Sequence, residues 1–225
     1  MRSVVLYHHT LFNVNIFKKI RLYGKTIDLM YRSIDSFVHQ PKITSLDHLC
    51  SQFNSRSLGL KESLTLDIGC GQNPRNPFEA TQCFGLDIRE DLSKNIRYAD
   101  LTIEPIPFAD GMFDYITAYD FIEHVPRVLY LPDRRFPFIE LMNEIYRSLK
   151  PGGVFLSRTP FYPISSAFTD PTHVNTITAD TFPRYFDDQY QWARMYGFRG
   201  AFRVEFQGIH DTHLVTILRK RELTD

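Results

Sequence analysis

The sequence predicts an α/β protein built on a doubly wound open sheet, and three observations carry that prediction. Leu64-Thr65-Leu66-Asp67-Ile68 is a short apolar run that breaks into Gly69-Cys70-Gly71. It is too densely aliphatic and β-branched to leave a wet face, which suits a parallel strand covered on both sides. A second apolar run, Cys83-Phe84-Gly85-Leu86, ends in Asp87, twenty residues after Asp67. Further on, strand-like runs at Phe113 to Ala118 and Val154 to Arg158 flank a segment of helical spacing, Phe138 to Leu149, the alternation expected of such a sheet. Gly69 and Gly71 let the backbone turn sharply and approach a ligand closely. An acid at the tip of the second strand is where such a sheet offers an acceptor to ribose hydroxyls. A strand, a glycine loop and Asp87 together imply a nucleoside ligand.

The spacing resembles the class I S-adenosylmethionine (SAM) dependent methyltransferases, in which an acid precedes a Gly-x-Gly loop. Ala99-Asp100-Leu101, Phe113-Asp114-Tyr115-Ile116 with Glu123-His124-Val125, and Arg147-Ser148-Leu149-Lys150-Pro151-Gly152-Gly153 follow in the family's order. The resemblance covers about residues 60 to 220. It implies a Rossmann-like, seven-stranded sheet with a reversed last strand, and SAM as cofactor. The cofactor-binding residues it implies are Asp67, Gly69, Cys70, Gly71, Asp87, Ile88, Asp100, Leu101 and Tyr119. Ile88 is placed to pack on the adenine ring, Asp100 to accept from the adenine amine, and Leu101 to offer its backbone amide. One stretch departs from the family: Gln72-Asn73-Pro74-Arg75-Asn76-Pro77-Phe78 carries two prolines, and only about ten residues separate Gly71 from the second strand. That is too short for a full crossover helix, so the first helix is expected to be stunted or replaced by a loop.

Composition limits the remaining possibilities. With 225 residues, 43% apolar and 23% charged, the chain can build one sizeable core. Lys plus Arg equals Asp plus Glu, 26 each, so nothing global favours nucleic acid or an anionic membrane. Cys50, Cys70 and Cys83 are scattered and odd in number, which argues against a disulfide framework or a cysteine zinc site and for a reducing, cytoplasmic setting. No segment reads as a membrane span, and no feature indicates the oligomeric state.

Residues 1–60 read as an N-terminal helical extension or cap, and 61–225 as the methyltransferase domain. Ile16, Ile20, Tyr23, Ile27, Met30, Tyr31 and Ile34 recur at helical spacing, predicting an amphipathic helix over about 13 to 38. A short helix is expected over Leu46 to Phe53. Tyr98 to Leu101 reads as a third strand and its exit, and 102 to 112 as a turn-rich loop. Phe113 to Ala118 is the fourth strand. Its carboxyl end, Tyr119 to His124, falls where ligands sit in such sheets and should border the transferring methyl. Residues 126 to 137 form an insertion carrying Arg127, Arg134 and Arg135, either a solvated loop or a lid recognising an anionic group. Pro151-Gly152-Gly153 is expected to stop the following helix and turn into strand five. Thr178 to Tyr196 reads as helical. Ala201 to Phe206 and Thr212 to Leu218 read as an antiparallel hairpin, with His210 and His213 at its edge.

The candidate catalytic residues are His173, His124 and Asp170. An imidazole is the side chain best matched to proton transfer near neutral pH. His124 follows the fourth strand, while His173 lies on the loop after strand five, where Asp170 is placed to orient it. Both stay open as the base, beside the plainer roles of packing and local capping. Asp170 and His173 supply two potential metal ligands without a third, so no metal site is expected. Asp170-Pro171-Thr172-His173 is similar to a stretch in methyltransferases associated with sugar or polysaccharide modification. The reading is methyl transfer to a small-molecule or sugar acceptor, at a hydroxyl. A SAM-binding protein without turnover is the alternative, and an NAD-dependent oxidoreductase explains fewer of the motifs.

Overall fold

The computed structural model describes residues 21–28 and 37–222. The chain divides into two compact units, Met1–His39 and Gln40–Asp225. In the first unit, 21–28 is helical; the rest of the helix predicted over 13 to 38, apart from 37 and 38, lies outside the described residues. The second unit holds the sheet.

Seven strands form that sheet: β1 (Leu64–Ile68), β2 (Gln82–Asp87), β3 (Ile96–Tyr98), β4 (Phe113–Tyr119), β5 (Leu149–Pro160), β6 (Phe202–His210) and β7 (His213–Lys220). Their order is β3-β2-β1-β4-β5-β7-β6. Strands β1 to β5 pair in parallel, whereas β7 runs antiparallel to both β5 and β6. This is the seven-stranded sheet with a reversed strand that the resemblance implied. The order reverses between β1 and β4, and a cleft opens at the carboxyl ends of strands around such a switch point.

Burial explains the apolar runs. Leu66, Ile68, Ile116, Ala118, Phe155 and Leu156 are fully enclosed. On one face Tyr115 stacks on Phe78 with ring centroids 4.6 Å apart, joined by Leu49 and Cys50 of the short helix Leu46–Ser51. The helix Pro137–Ser148 buries Phe138, Leu141, Met142 and Ile145.

Three elements depart from the sequence reading. Residues 149–153 continue β5 instead of turning into it, with Gly152 at φ +73 and a register irregularity opposite Phe113/Tyr115. The β6–β7 turn is two residues long, because His210 pairs directly with His213. Between 178 and 196 the chain forms only a short helix, Thr181–Tyr185, and a 3-10 turn, Trp192–Tyr196. Gln191 at φ +51 interrupts any continuous helix there. The expectation at the first crossover is met: residues 69–81 contain no helix.

Candidate active site

The loop after β1 is shaped by two glycines used differently. Gly69 (φ +64) lies beneath Phe121, so that an added Cβ would sit 2.3 Å from Phe121 Cδ2. Gly71 (φ +61) faces open space, leaving room for a ligand against its backbone. Gly69→Ala would therefore combine a left-handed backbone with a steric clash, costing about 2 kcal/mol of stability. A urea unfolding midpoint that drops without a change in slope checks this.

Asp67 is fully buried and commits both oxygens to the chain. Oδ2 accepts from the Arg75 amide at 2.9 Å and Oδ1 from Thr117 Oγ1 at 2.6 Å. It shapes the loop from beneath. Burial pushes its carboxyl up to about 6 against the pull of those two bonds and the nearby Arg75 guanidinium. The native state thus favours the protonated form: the stability it contributes is full below the ordinary carboxylate range and is lost as pH rises through 6. Asn at this position can accept from Arg75 and donate to Thr117. Asp67→Asn is expected to remove this pH dependence, gaining roughly 2 kcal/mol over wild type between pH 4 and 7. Paired denaturation curves across that range test it.

Asp87, 8% exposed, stands at the tip of β2. Its Oδ2 accepts from the Gly71 amide at 2.9 Å, and Oδ1 accepts from the Arg89 amide at 3.0 Å and Nε at 3.1 Å. Each oxygen keeps acceptor capacity. A fixed carboxylate beside a glycine with open space before it fits the ribose of a nucleoside. Cys70 is buried behind the loop, where burial pushes its thiol up to about 12, so it acts as packing. Ile88 is 63% exposed, presenting an apolar face next to Asp87. Asp100 opens a turn: Oδ1 caps the Thr102 amide, and its own amide donates to Glu104 Oε2. Leu101 is buried beside it. Arg75, from the proline-rich stretch after the loop, lies 4.7 Å over the ring of buried Tyr119. Of the residues the sequence singled out, the structure brings Gly69, Gly71, Asp87, Asp67, Arg75 and Tyr119 to one neighbourhood.

The carboxyl end of β4 carries two polar clusters. Asp120, at φ +51, bonds His213 Nε2 at 2.8 Å and Arg158 Nη1 at 2.9 Å, while Arg158 Nη2 meets His213 Nδ1 at 3.1 Å. Burial opposes ionisation of Asp120, but the bonds from His213 and Arg158 outweigh it and hold its carboxyl below the usual range. His213 is thus part of the edge at the carboxyl end of β4, brought there by its pairing with Pro160 in the antiparallel ladder. The spacing of a hairpin alone does not announce that register.

The second cluster joins 122–124 to 170–175. The Glu123 carbonyl accepts from the amides of Val174 and Asn175, both at 2.9 Å, and Asn175 Nδ2 donates to the Ile122 carbonyl. The rings of His124 and His173 meet edge to face at 4.8 Å. Asp170 Oδ1 accepts from Thr172 Oγ1 at 2.6 Å, and that hydroxyl contacts His124 Nδ1 at 3.0 Å. Its Oδ2 is 4.0 Å from His173 Nε2. The sequence paired Asp170 with His173; the structure places them 4.0 Å apart and adds a link from Asp170 through Thr172 Oγ1 to His124. Buried Glu123 accepts from Thr159 Oγ1 at 2.7 Å, and burial raises its carboxyl above the ordinary range.

The arginines of the 126–137 insertion are committed within the chain. Arg127 donates to Asn175 Oδ1 at 2.7 Å and to the Thr176 carbonyl, Arg135 pairs with Glu140, and Arg134 lies over Phe136. Beside Arg127 a cavity of about 370 Å³ is walled by Phe136, Phe138, Tyr185, Phe186 and Tyr196. Sequence reasoning did not find this cavity.

A glycine loop beneath a switch point, with an acid at the next strand tip, defines a nucleoside-binding α/β domain. Residues 66–157 match the methyltransferase domain family. A stretch of 116 residues is 27% identical to the sterol 24-C-methyltransferase of Schizosaccharomyces pombe, covering 44% of this chain and 28% of that protein's length. Among solved structures, a candidate methyltransferase of Bacillus halodurans superposes with a TM-score of 0.51 at 17% identity, covering 79% of this chain and 99% of its own. The [4+2]-cyclase SpnF superposes at 0.50 and 15% identity, covering 78% and 80%; these two show the fold. Residues 66–157 are thus similar to a methyltransferase domain, and SAM is the cofactor that this similarity implies. Among the described residues no helix is long and apolar enough to cross a membrane.

Proposed function

We propose that the protein transfers the methyl of SAM to a hydroxyl of a small-molecule or sugar acceptor. The observation that carries this reading is the Glu123–His124–His173 cluster at the end of β4, two residues beyond the Phe121 ring that covers Gly69. When bound, SAM supplies a sulfonium methyl that is already electrophilic. The chain's task is to hold the acceptor in line, exclude water and take up its proton. Asp87 and Gly71 would hold the ribose, Ile88 would cover the adenine, and Arg75 would face the cofactor carboxylate. The Thr172 hydroxyl donates to Asp170 and so accepts from His124 Nδ1–H, which leaves Nε2 free to receive a proton. The aromatic-walled cavity is of a size that suits a small molecule. Asn175 connects its Arg127 to Glu123.

Incubation of purified protein with SAM and a panel of sugars, phenols and sterols, with S-adenosylhomocysteine read by mass spectrometry, tests the proposal. Acceptor-dependent product and a mass gain of one methyl on oxygen are expected. Tight SAM binding with no product across the panel would favour a binding protein without turnover. That second reading draws on the helix-free 69–81 loop, and transfer to nitrogen or carbon would correct the acceptor class.

A further inference from the structure

We propose that Glu123, His124 and His173 form a binding site for a transition-metal dication of the zinc type. Each offers one ligand atom, and these atoms lie within 4.8 Å of one another. Ligands 2.0–2.1 Å from a tetrahedral zinc stand roughly 3.4 Å apart, so small side-chain rotations close the set. The inference stands on geometry that proton transfer by itself does not require.

Two buried polar atoms in this cluster have no partner: Glu123 Oε1 and His173 Nδ1. Glu123 is 1% exposed, and an unpartnered carboxylate oxygen at that depth is costly to desolvate. A cation between them satisfies both atoms together. The outer nitrogen of His124 is hydrogen-bonded as in metal-bound imidazoles, and that of His173 is turned toward a carboxylate. His124 Nδ1 is held by Thr172 Oγ1, itself bonded to Asp170 Oδ1, so Nε2 is the free lone pair. His173 Nε2 faces Asp170 Oδ2 at 4.0 Å, which leaves Nδ1 to point inward. A single carboxylate, Asp170, thus stands behind both rings. Two imidazoles and one carboxylate select zinc, cobalt or iron over magnesium or calcium, which prefer oxygen ligands. His124 is only partly buried, so a fourth position is open to water or to the acceptor hydroxyl. This inference rests on the methyl-transfer reading and offers a second route for it: with the ion bound the two histidines hold the metal instead of accepting the proton, and a coordinated hydroxyl loses its proton more readily.

The test uses the full chain after dialysis against a chelator, with no SAM or acceptor present. Cobalt(II) is followed by its visible absorption and zinc by calorimetry. One equivalent should bind with a visible cobalt band. His173→Ala and His124→Ala should each weaken binding at least 100-fold. Asp170→Asn, at an exposed position remote from the core, should weaken it roughly tenfold. Thermal melting of each variant confirms folding, and wild type should melt higher with zinc than without. Absence of stoichiometric binding, or binding that survives His173→Ala unchanged, overturns the proposal. Because no methyl transfer is measured, this failure would leave the reaction class standing, and an acceptor screen without product would leave the metal site standing.

Discussion

Asp87→Ala is expected to weaken SAM binding by about 10²–10³-fold. The wild-type carboxylate is fixed before any ligand arrives, with Gly71 N–H on one oxygen and Arg89 on the other. It therefore has little freedom to lose when it accepts from ribose hydroxyls, and hydrogen bonds to a charged group contribute about 1.5–3 kcal/mol each. Truncation removes those acceptors and also leaves the Gly71 amide without its anchor, so the loop loosens where the ligand must lie closest. Asp87→Asn keeps one acceptor and should lose less. Calorimetric titration with SAM, S-adenosylhomocysteine and NAD measures both effects. Unchanged SAM affinity in Asp87→Ala would remove the residue from the ribose site, and a preference for NAD would reassign the ligand altogether.

Why some parts of the molecule were readable and others were not follows from how each is held together. The β1 run, its glycines and Asp87 lie within two adjacent strands, and each carries its reason locally: double-sided burial, positive φ, an acid at a strand tip. The missing crossover helix was equally local, because two prolines in seven residues leave no room for it. The chemistry at the end of β4 is different. Glu123 and His173 are fifty residues apart, and they meet because backbone amides of 174 and 175 bond the Glu123 carbonyl, which leaves no trace in side-chain pattern. His213 reaches Asp120 through the antiparallel register with β5; a sequence shows that a hairpin exists, not which residue ends opposite Pro160. The aromatic cavity fails for a third reason. The stretch 178 to 196 has the residues of a buried helix, but Phe182 and Phe186 pack edge to face on Phe138 while Gln191 breaks the backbone, so the aromatic rings wall a cavity instead of one helical stripe.

His173→Ala is expected to lower turnover by roughly 10²–10⁴-fold, the range for loss of a positioned proton-transfer group, while SAM affinity changes less than about threefold. The separation arises from placement. The cofactor contacts are assigned to Gly71, Asp87 and Ile88 at the ends of β1 and β2, whereas His173 packs against His124 beyond the end of β4. A residue that merely filled space would lower stability and both kinetic constants together. His124→Ala should fall in the same range, since its Nε2 is the lone pair left free by Thr172. Thr172→Val removes only the hydroxyl that fixes the tautomer and should cost about tenfold in turnover while leaving SAM binding unchanged. Steady-state rates across pH, beside SAM titrations of the same preparations, separate these outcomes. Turnover that survives in both histidine variants would move proton uptake elsewhere along this edge, where the hydrogen-bonded Asp120–His213 pair is the next group in line.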